Sequence, residues 1–365
     1  MRNTLQQLAA NVLKTSGLTN RLAKGLVKGL ATALGSLLVS LNLQASTPEP
    51  IFDKEAFIEE MVRDHQFSAD EIRTKLNNLQ PNPQILEAIS RPWEAKPWHQ
   101  YHPIFLTDKR TEKGVAFWEQ HAETLQRAEA ELGVPAEIIV AIIGVETYYG
   151  GYKGKYGVLD ALNTLGFYFE PRAKFFRKEL KEYFILSREE GFNVTELKGS
   201  YAGAMGWGQF ISSSYRHYAI DFDGDGVRDL LNNPVDAIGS VANYFRKHGW
   251  QTGQPVAFPL KNTNAAPQSH SKLQDQGLVS KALPLEHTWQ DIQQAGFALN
   301  HPAAASVTLK PDVQSKLLAF KQPDSYEYWV ALHNFYVITR YNHSPLYAMA
   351  VYQLSQNIKA KKLAR

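Results

Sequence analysis

Glu146 has the most unusual surroundings for its residue type. It follows Ile138, Ile139, Val140, Ile142, Ile143 and Val145, and Thr147-Tyr148-Tyr149-Gly150-Gly151 comes directly after it. On a helix, its neighbours one turn back are Ile142 and Ile143, and the negative end of the helix dipole lies beside it. A carboxyl so placed is partly desolvated and is expected to hold its proton above the usual carboxylate range. That is what a general acid for breaking a glycosidic bond requires. The pattern also fits a glutamate paired with Lys or Arg at a helix end, and the residue alone does not separate the two.

Three other stretches carry chemistry. Gly199-Ser-Tyr-Ala-Gly-Ala-Met-Gly-Trp-Gly-Gln-Phe210 combines four glycines with Met205, Trp207, Gln209 and Phe210. Close backbone approach, apolar faces and an amide suit a sugar ring, although small residues also permit a tight helix crossing. Asp221-Phe-Asp-Gly-Asp-Gly-Val-Arg-Asp229 has the D-x-D-x-D-G spacing of an EF-hand-type calcium loop. Asp221, Asp223 and Asp225 would offer carboxylates, the carbonyl of Val227 a further oxygen, and Gly226 the turn. Position 12 is Asn232 rather than a bidentate Glu, so Asp236 is the compensating carboxylate. With no second loop to pair with, the reading is a structural clip for calcium, against a merely solvated Asp turn. Finally, Phe335-Tyr-Val-Ile-Thr-Arg-Tyr-Asn-His-Ser-Pro-Leu-Tyr347 gathers three tyrosines with Arg340, Asn342 and His343. It reads equally as a carbohydrate cleft or as the polar lip of a core helix. No G-x-S-x-G, H-E-x-x-H or phosphate-binding loop is present.

The elements that must position these groups read mostly as helices. Ser68 to Glu71 has the form of a capping box, followed by Ile72, Leu76 and Leu79. Val115, Trp118, Leu125 and Leu132 predict one amphipathic helix stopped by Gly133, and Pro135 opens the helix that leads to Glu146. Further helices are expected around 172–190, 234–248 and 345–360. Residues 252–325 change texture to Pro, Asn, Gln and Ser with short β-branched pieces (256–258 and 306–309), which predicts an insertion of short strands and loops.

Composition narrows the class. The 365 residues are 44% hydrophobic and 21% charged, which excludes a disordered or collagen-like chain. The absence of Cys excludes disulfides, thiolate metal sites, cysteine nucleophiles and a lipid-modified Cys. The formal charge of +3 includes five basic groups and no acid in residues 1–45, so the remainder sums to −2. A near-neutral body argues against nucleic-acid binding. The basic stretch is followed by an uncharged run, 29–48, closing on Leu43-Gln-Ala-Ser46 before a polar linker. This order is that of a secretory signal, and the run is also long enough to be a membrane anchor. The expectation is an exported, periplasmic protein, its signal cleaved in preference to an inner-membrane anchor, and not a lipoprotein.

Taken together, four segments resemble the lytic murein transglycosylase B family, bacterial enzymes that cleave peptidoglycan strands. They are Ile142 to Thr147, Ala202 to Phe210, Asp236 to Phe245 and Ile338 to Ser344, and the resemblance spans roughly 52–360. It implies a mainly α (α+β) fold with a lysozyme-like helical core, an additional helical lobe and a small strand-rich lobe. Residues 46–365 form the catalytic unit, and 1–45 the signal or anchor. It places the catalytic acid on Glu146 and glycan contacts on Ser200, Met205, Gln209, Tyr244, Tyr341, Asn342 and Tyr347. It puts the calcium loop on Asp221, Asp223, Asp225 and Val227 with Asp236. The loop is one residue longer before Pro234 than the family pattern, with Asp229 or Asn232 as substitutes for Asp236. The implied reaction cuts the MurNAc–GlcNAc β-1,4 bond without water and leaves 1,6-anhydro-MurNAc, with no catalytic cofactor. The implied partners are glycan strands and cell-wall synthesis proteins, and the chain is expected to be a monomer. The alternatives are a hydrolytic muramidase and a non-catalytic peptidoglycan-binding adaptor.

Overall fold

The computed structural model describes residues 49–91, 96–264, 269–279, 284–300 and 308–365. The signal or anchor expected at 1–45, and the start of the β-branched piece at 306–309, lie outside the described residues. The chain divides into two units, Met1–Ser46 and Thr47–Arg365, and every described residue belongs to the second. Among the described residues no helix is long and apolar enough to cross a membrane.

The helix that carries Glu146 runs Ala136–Thr147 and is buried along nearly its whole length. Apolar side chains on every side, rather than on one stripe, make it a core helix that neighbours must surround. Those neighbours are the helices Asp108–Gln120, Ala122–Leu132, Pro234–Lys247 and Pro345–Leu363. The buried Glu137 on its first turn is matched by Lys359 from the last of these at 2.7 Å. Further helices, from Lys54–His65 to Ala173–Glu190, pack into the same core through Phe57, Met61, Phe176 and Phe184.

Two expectations about helices need correction. The single helix expected from Val115 to Leu132 is two, broken at His121, whose backbone (φ −115°, ψ 29°) leaves the helical region. The first buries Gly114, Val115 and Phe117 and the second Leu125 and Ala128, and the break turns these faces to different neighbours. At Ser68 only half of the capping box forms. The Ser68 hydroxyl accepts from the Glu71 N–H, while the Glu71 carboxylate pairs with Lys75 at 2.7 Å.

A two-residue ladder joins β1 (Tyr156–Gly157) to β2 (Lys198–Gly199) and fixes the start of the glycine-rich loop. The strand lobe is a five-stranded antiparallel sheet of β3 (Ala257–Asn262), β4 (His287–Thr288), β5 (Phe297–Leu299), β6 (Gln314–Lys321) and β7 (Tyr326–Ala331), in the order β4-β6-β7-β3-β5. It has a core of its own, with Phe258, Leu260, Trp289, Ile292, Phe297, Leu317 and Val330 closed by short helices. The lobe extends past residue 325, because β7 supplies the Val330 that pairs with both Phe258 and Leu317. The whole is mainly helical with a small strand-rich lobe.

Candidate functional site

Glu146 sits half-buried on the last turn of the Ala136–Thr147 helix, locked from behind by fully buried Ile142 and Ile143. The helix stops abruptly. Tyr148, Tyr149 and Gly150 are three successive left-handed residues (φ 53°, 58° and 74°), a conformation that costs tyrosine on the order of 1 kcal/mol or more each. Thr147 holds this turn. Its hydroxyl donates toward Ile143 O (3.1 Å) and Trp207 O (2.9 Å) and accepts from Gly150 N–H at 3.0 Å. The Trp207 ring lies so close over Gly150 that a Cβ there would fall 2.3 Å from it. Helix end and glycine-rich loop are therefore one rigid unit.

The partner of Glu146 comes from 201 residues away: the Tyr347 hydroxyl donates to Glu146 Oε1 at 2.5 Å. Tyr347 stands on the first turn of the Pro345–Leu363 helix, where Pro345 and the Ser344 hydroxyl cap the start. It is only 3% exposed, and burial first, then the Glu146 charge, pushes its hydroxyl well above the usual tyrosine range. The phenol therefore stays a donor. Tyr341, at the end of the His333–Tyr341 helix, is raised by burial and then by Glu146, and donates to Gly208 O at 2.6 Å.

Tyr341 also lines a cavity of about 520 Å³ with Gln209, Phe210, Tyr244, Asn342 and Arg172. Tyr244 and Tyr341 meet edge to face with ring centres 4.8 Å apart, and Tyr244 stacks on His248 at 4.0 Å. Gln209 holds a left-handed backbone (φ 50°), tied by its amide to Lys153 O (3.2 Å) and Gly206 O (3.0 Å). Among the described residues no Asp or Glu lines this cavity. Rings with polar edges and an amide in a concave space are suited to a saccharide.

The structure brings Glu146 against Tyr347, and Gln209, Tyr244, Tyr341 and Asn342 onto one cavity. Ser200 is placed upstream, shaping the loop by accepting from Ala202 N–H (3.2 Å) and Ala204 N–H (3.0 Å). Met205 departs from the expectation of a ligand-facing side chain. It is 0% exposed, and its backbone exchanges two 3.0 Å bonds with Phe210, so the hairpin turns the thioether into the core. Sequence reasoning missed Thr147, Arg172 and Phe175. Only the position of Thr147 next to Glu146 offered a signal, since the other two reach the cavity from a different helix.

Comparison with known proteins gives the family. The transglycosylase SLT domain family matches residues 52–356. The membrane-bound lytic murein transglycosylase B of Escherichia coli is 40% identical over 312 residues, covering 83% of this chain and 81% of the relative. The chain belongs to the lytic murein transglycosylase B family. The catenated lytic transglycosylase SltB1 of Pseudomonas aeruginosa superposes with a TM-score of 0.76 at 45% identity, over 84% of this chain and 97% of that one. The Escherichia coli lytic transglycosylase Slt35, solved in complex with calcium, superposes with a TM-score of 0.73 at 39% identity, over 85% of this chain and 93% of that one.

In this transglycosylase the acidic loop is built around Asp236, on the first turn of the Pro234–Lys247 helix and 0% exposed. Its two oxygens accept from Phe222 N–H (2.7 Å) and Asp229 N–H (2.8 Å), stapling both ends of the loop. Phe222 packs against Gly239, where a Cβ would lie 2.3 Å from the ring. Asp221 accepts from Gly224, Asp225 and Gly226 N–H groups, and these bonds, that of Gly226 foremost, hold its carboxyl below the usual range. Burial pushes Asp236 up. Ligand oxygens of Asp221, Asp223 and Asp236 converge within 4.8 Å of one another. Three hard oxygens at that spacing, one of them buried, fit a divalent cation. Asp225 lies outside the cluster, its Oδ1 accepting from Val227 N–H at 2.8 Å. Asp229 is occupied by the Leu231 and Asn232 N–H groups at 2.9 Å.

One expectation is overturned. A free, non-lipoprotein periplasmic form rests on residues 1–48, which lie outside the described residues, and the Escherichia coli relative is by name membrane-bound.

Proposed function

We propose that this transglycosylase cleaves the β-1,4 bond between N-acetylmuramic acid and N-acetylglucosamine in peptidoglycan, with Glu146 as its only acid–base group. Protonated Glu146 donates to the glycosidic oxygen, the C1–O bond breaks, and the substrate's acetamido oxygen supports the cation developing at C1. The Glu146 carboxylate then removes the proton from the muramoyl 6-hydroxyl as O6 bonds to C1. The proton returns to Glu146, no water is consumed, and the product ends in 1,6-anhydro-MurNAc. One observation carries this reading: half-buried Glu146, held by the Tyr347 hydroxyl, lies next to Tyr341, which lines a cavity with no Asp or Glu among the described residues. The usual hydrolytic glycosidases work with a pair of carboxyl groups. Gln209, Tyr244, Tyr341 and Asn342 would hold the sugar, and Asp221, Asp223 and Asp236 would hold a structural calcium ion with help from Asp225 and the Val227 carbonyl.

Digestion of purified sacculi followed by mass spectrometry tests the reaction. Products about 18 mass units below reducing-end muropeptides (one water) are expected, and water-adduct ends alone would replace the proposal with a muramidase.

Tyr347 acts through Glu146 as a positioning residue. Tyr347→Phe is expected to lower kcat roughly tenfold to a hundredfold with KM nearly unchanged, the size expected for a hydrogen bond to a charged group. A variant in which KM alone rises would make Tyr347 a substrate contact instead.

A further inference from the structure

A cavity of about 690 Å³ lies outside the acid–base centre and is basic. Five cations line it, Arg172, Lys174, Arg177, Lys178 and Lys181, against two acids, Glu60 and Glu170. Three of the five are engaged. Lys181 pairs with Glu60 at 2.8 Å, Arg177 donates to Gly166 O and covers the Phe52 ring, and Arg172 lies over the Phe175 and Phe176 rings. Lys174 and Lys178 are exposed and make no salt bridge among the described residues. They sit four residues apart on the Ala173–Glu190 helix, where like charges repel, and the first turn of that helix carries no acid. The rest of the chain past residue 45 is slightly acidic, so this concentration of positive charge is local.

The basic cavity adjoins the saccharide cavity, because Arg172 and Phe175 line both. A glycan strand in the cleft would carry on its lactyl groups short peptide stems with free carboxylates. An extended stem of four or five residues reaches about 15 Å, at roughly 3.3–3.6 Å per residue. We infer that the basic groove receives the carboxylates of the peptide stem attached to the strand being cut, with Lys174 and Lys178 as the cations that meet them. This inference rests on the peptidoglycan reading above. It makes the groove a determinant of substrate choice, favouring strands that still bear stems over denuded ones.

The test compares kcat/KM of the full chain and of K174Q/K178Q on glycan strands of equal length, with stems intact or removed by an amidase. The wild type is expected to prefer stem-bearing strands roughly two- to twentyfold at low salt, with the preference shrinking as salt screens it. K174Q/K178Q should lose most of that preference, cleave stem-free strands at the wild-type rate and keep the wild-type melting curve, since both side chains are exposed. Equal preference in variant and wild type, or a preference insensitive to salt, overturns the inference while leaving the reaction assignment standing. Failure of the wild type to cleave either strand overturns both. A parallel arm measures binding to vesicles of phosphatidylglycerol and phosphatidylcholine. Weaker vesicle binding by K174Q/K178Q with stem preference intact would overturn the inference in favour of a lipid surface.

Discussion

Replacing Glu146 with Gln is expected to abolish turnover while leaving fold and glycan binding intact. The amide keeps the shape of the side chain and an oxygen that can accept from the Tyr347 hydroxyl, so the 2.5 Å link has a substitute. What it lacks is a transferable proton and, afterwards, a carboxylate to take one. General acid–base assistance is worth roughly 10²–10⁴ in rate per step. One residue serving both steps puts the expected loss at about 10⁴ or more, because no Asp or Glu among the described residues lines the adjoining cavity to replace it. Release of anhydromuropeptides and pull-down on sacculi read the two halves of this expectation. Wild-type turnover by E146Q would remove the mechanism.

The second large effect concerns stability. A bound ion that the unfolded chain does not hold stabilises by about 2.7 kcal/mol when present at a hundredfold over its dissociation constant. Chelation with EGTA is therefore expected to lower the melting temperature by about 3–8 °C, with activity retained well below the transition. Asp236→Ala should cost more than chelation. It deletes a buried carboxylate and leaves the Phe222 and Asp229 N–H groups without their acceptor, roughly 1–3 kcal/mol for each stranded donor. The variant's melting curve should also no longer respond to EGTA. An unchanged wild-type curve after chelation, checked by calorimetry, would end the metal assignment.

Local chemistry was legible in the sequence wherever a run of residues declared its own surroundings. The apolar run of 138–145 announced a core helix, and Glu146, the third residue past the Ile142–Ile143 pair, announced a carboxyl in apolar surroundings. The aspartate spacing of 221–225 announced a loop of clustered carboxylates, two of which, Asp221 and Asp223, converge with Asp236. What depended on distant segments was not legible. The pairing of Glu146 with Tyr347 requires two helices to dock across 201 residues, and no periodicity encodes that. Met205 reads like its neighbours in a glycine-rich loop, yet the two-way bridge to Phe210 turns it inward. The break at His121 was hidden because the residues around it are good helix formers and only the directions of two buried faces demand it. β7 was missed because Tyr326-Glu-Tyr-Trp-Val-Ala331 joins a sheet whose pairing partners start at residue 257.

The hydroxyl bonded to Glu146 comes from the Pro345–Leu363 helix, docked against the buried helix that bears Glu146. A polypeptide halted short of residue 345 has its glutamate but not the phenol that orients it. A copy cut before that helix would also uncover the apolar face of the buried helix that it covers, so loss of the phenol and loss of core packing come together.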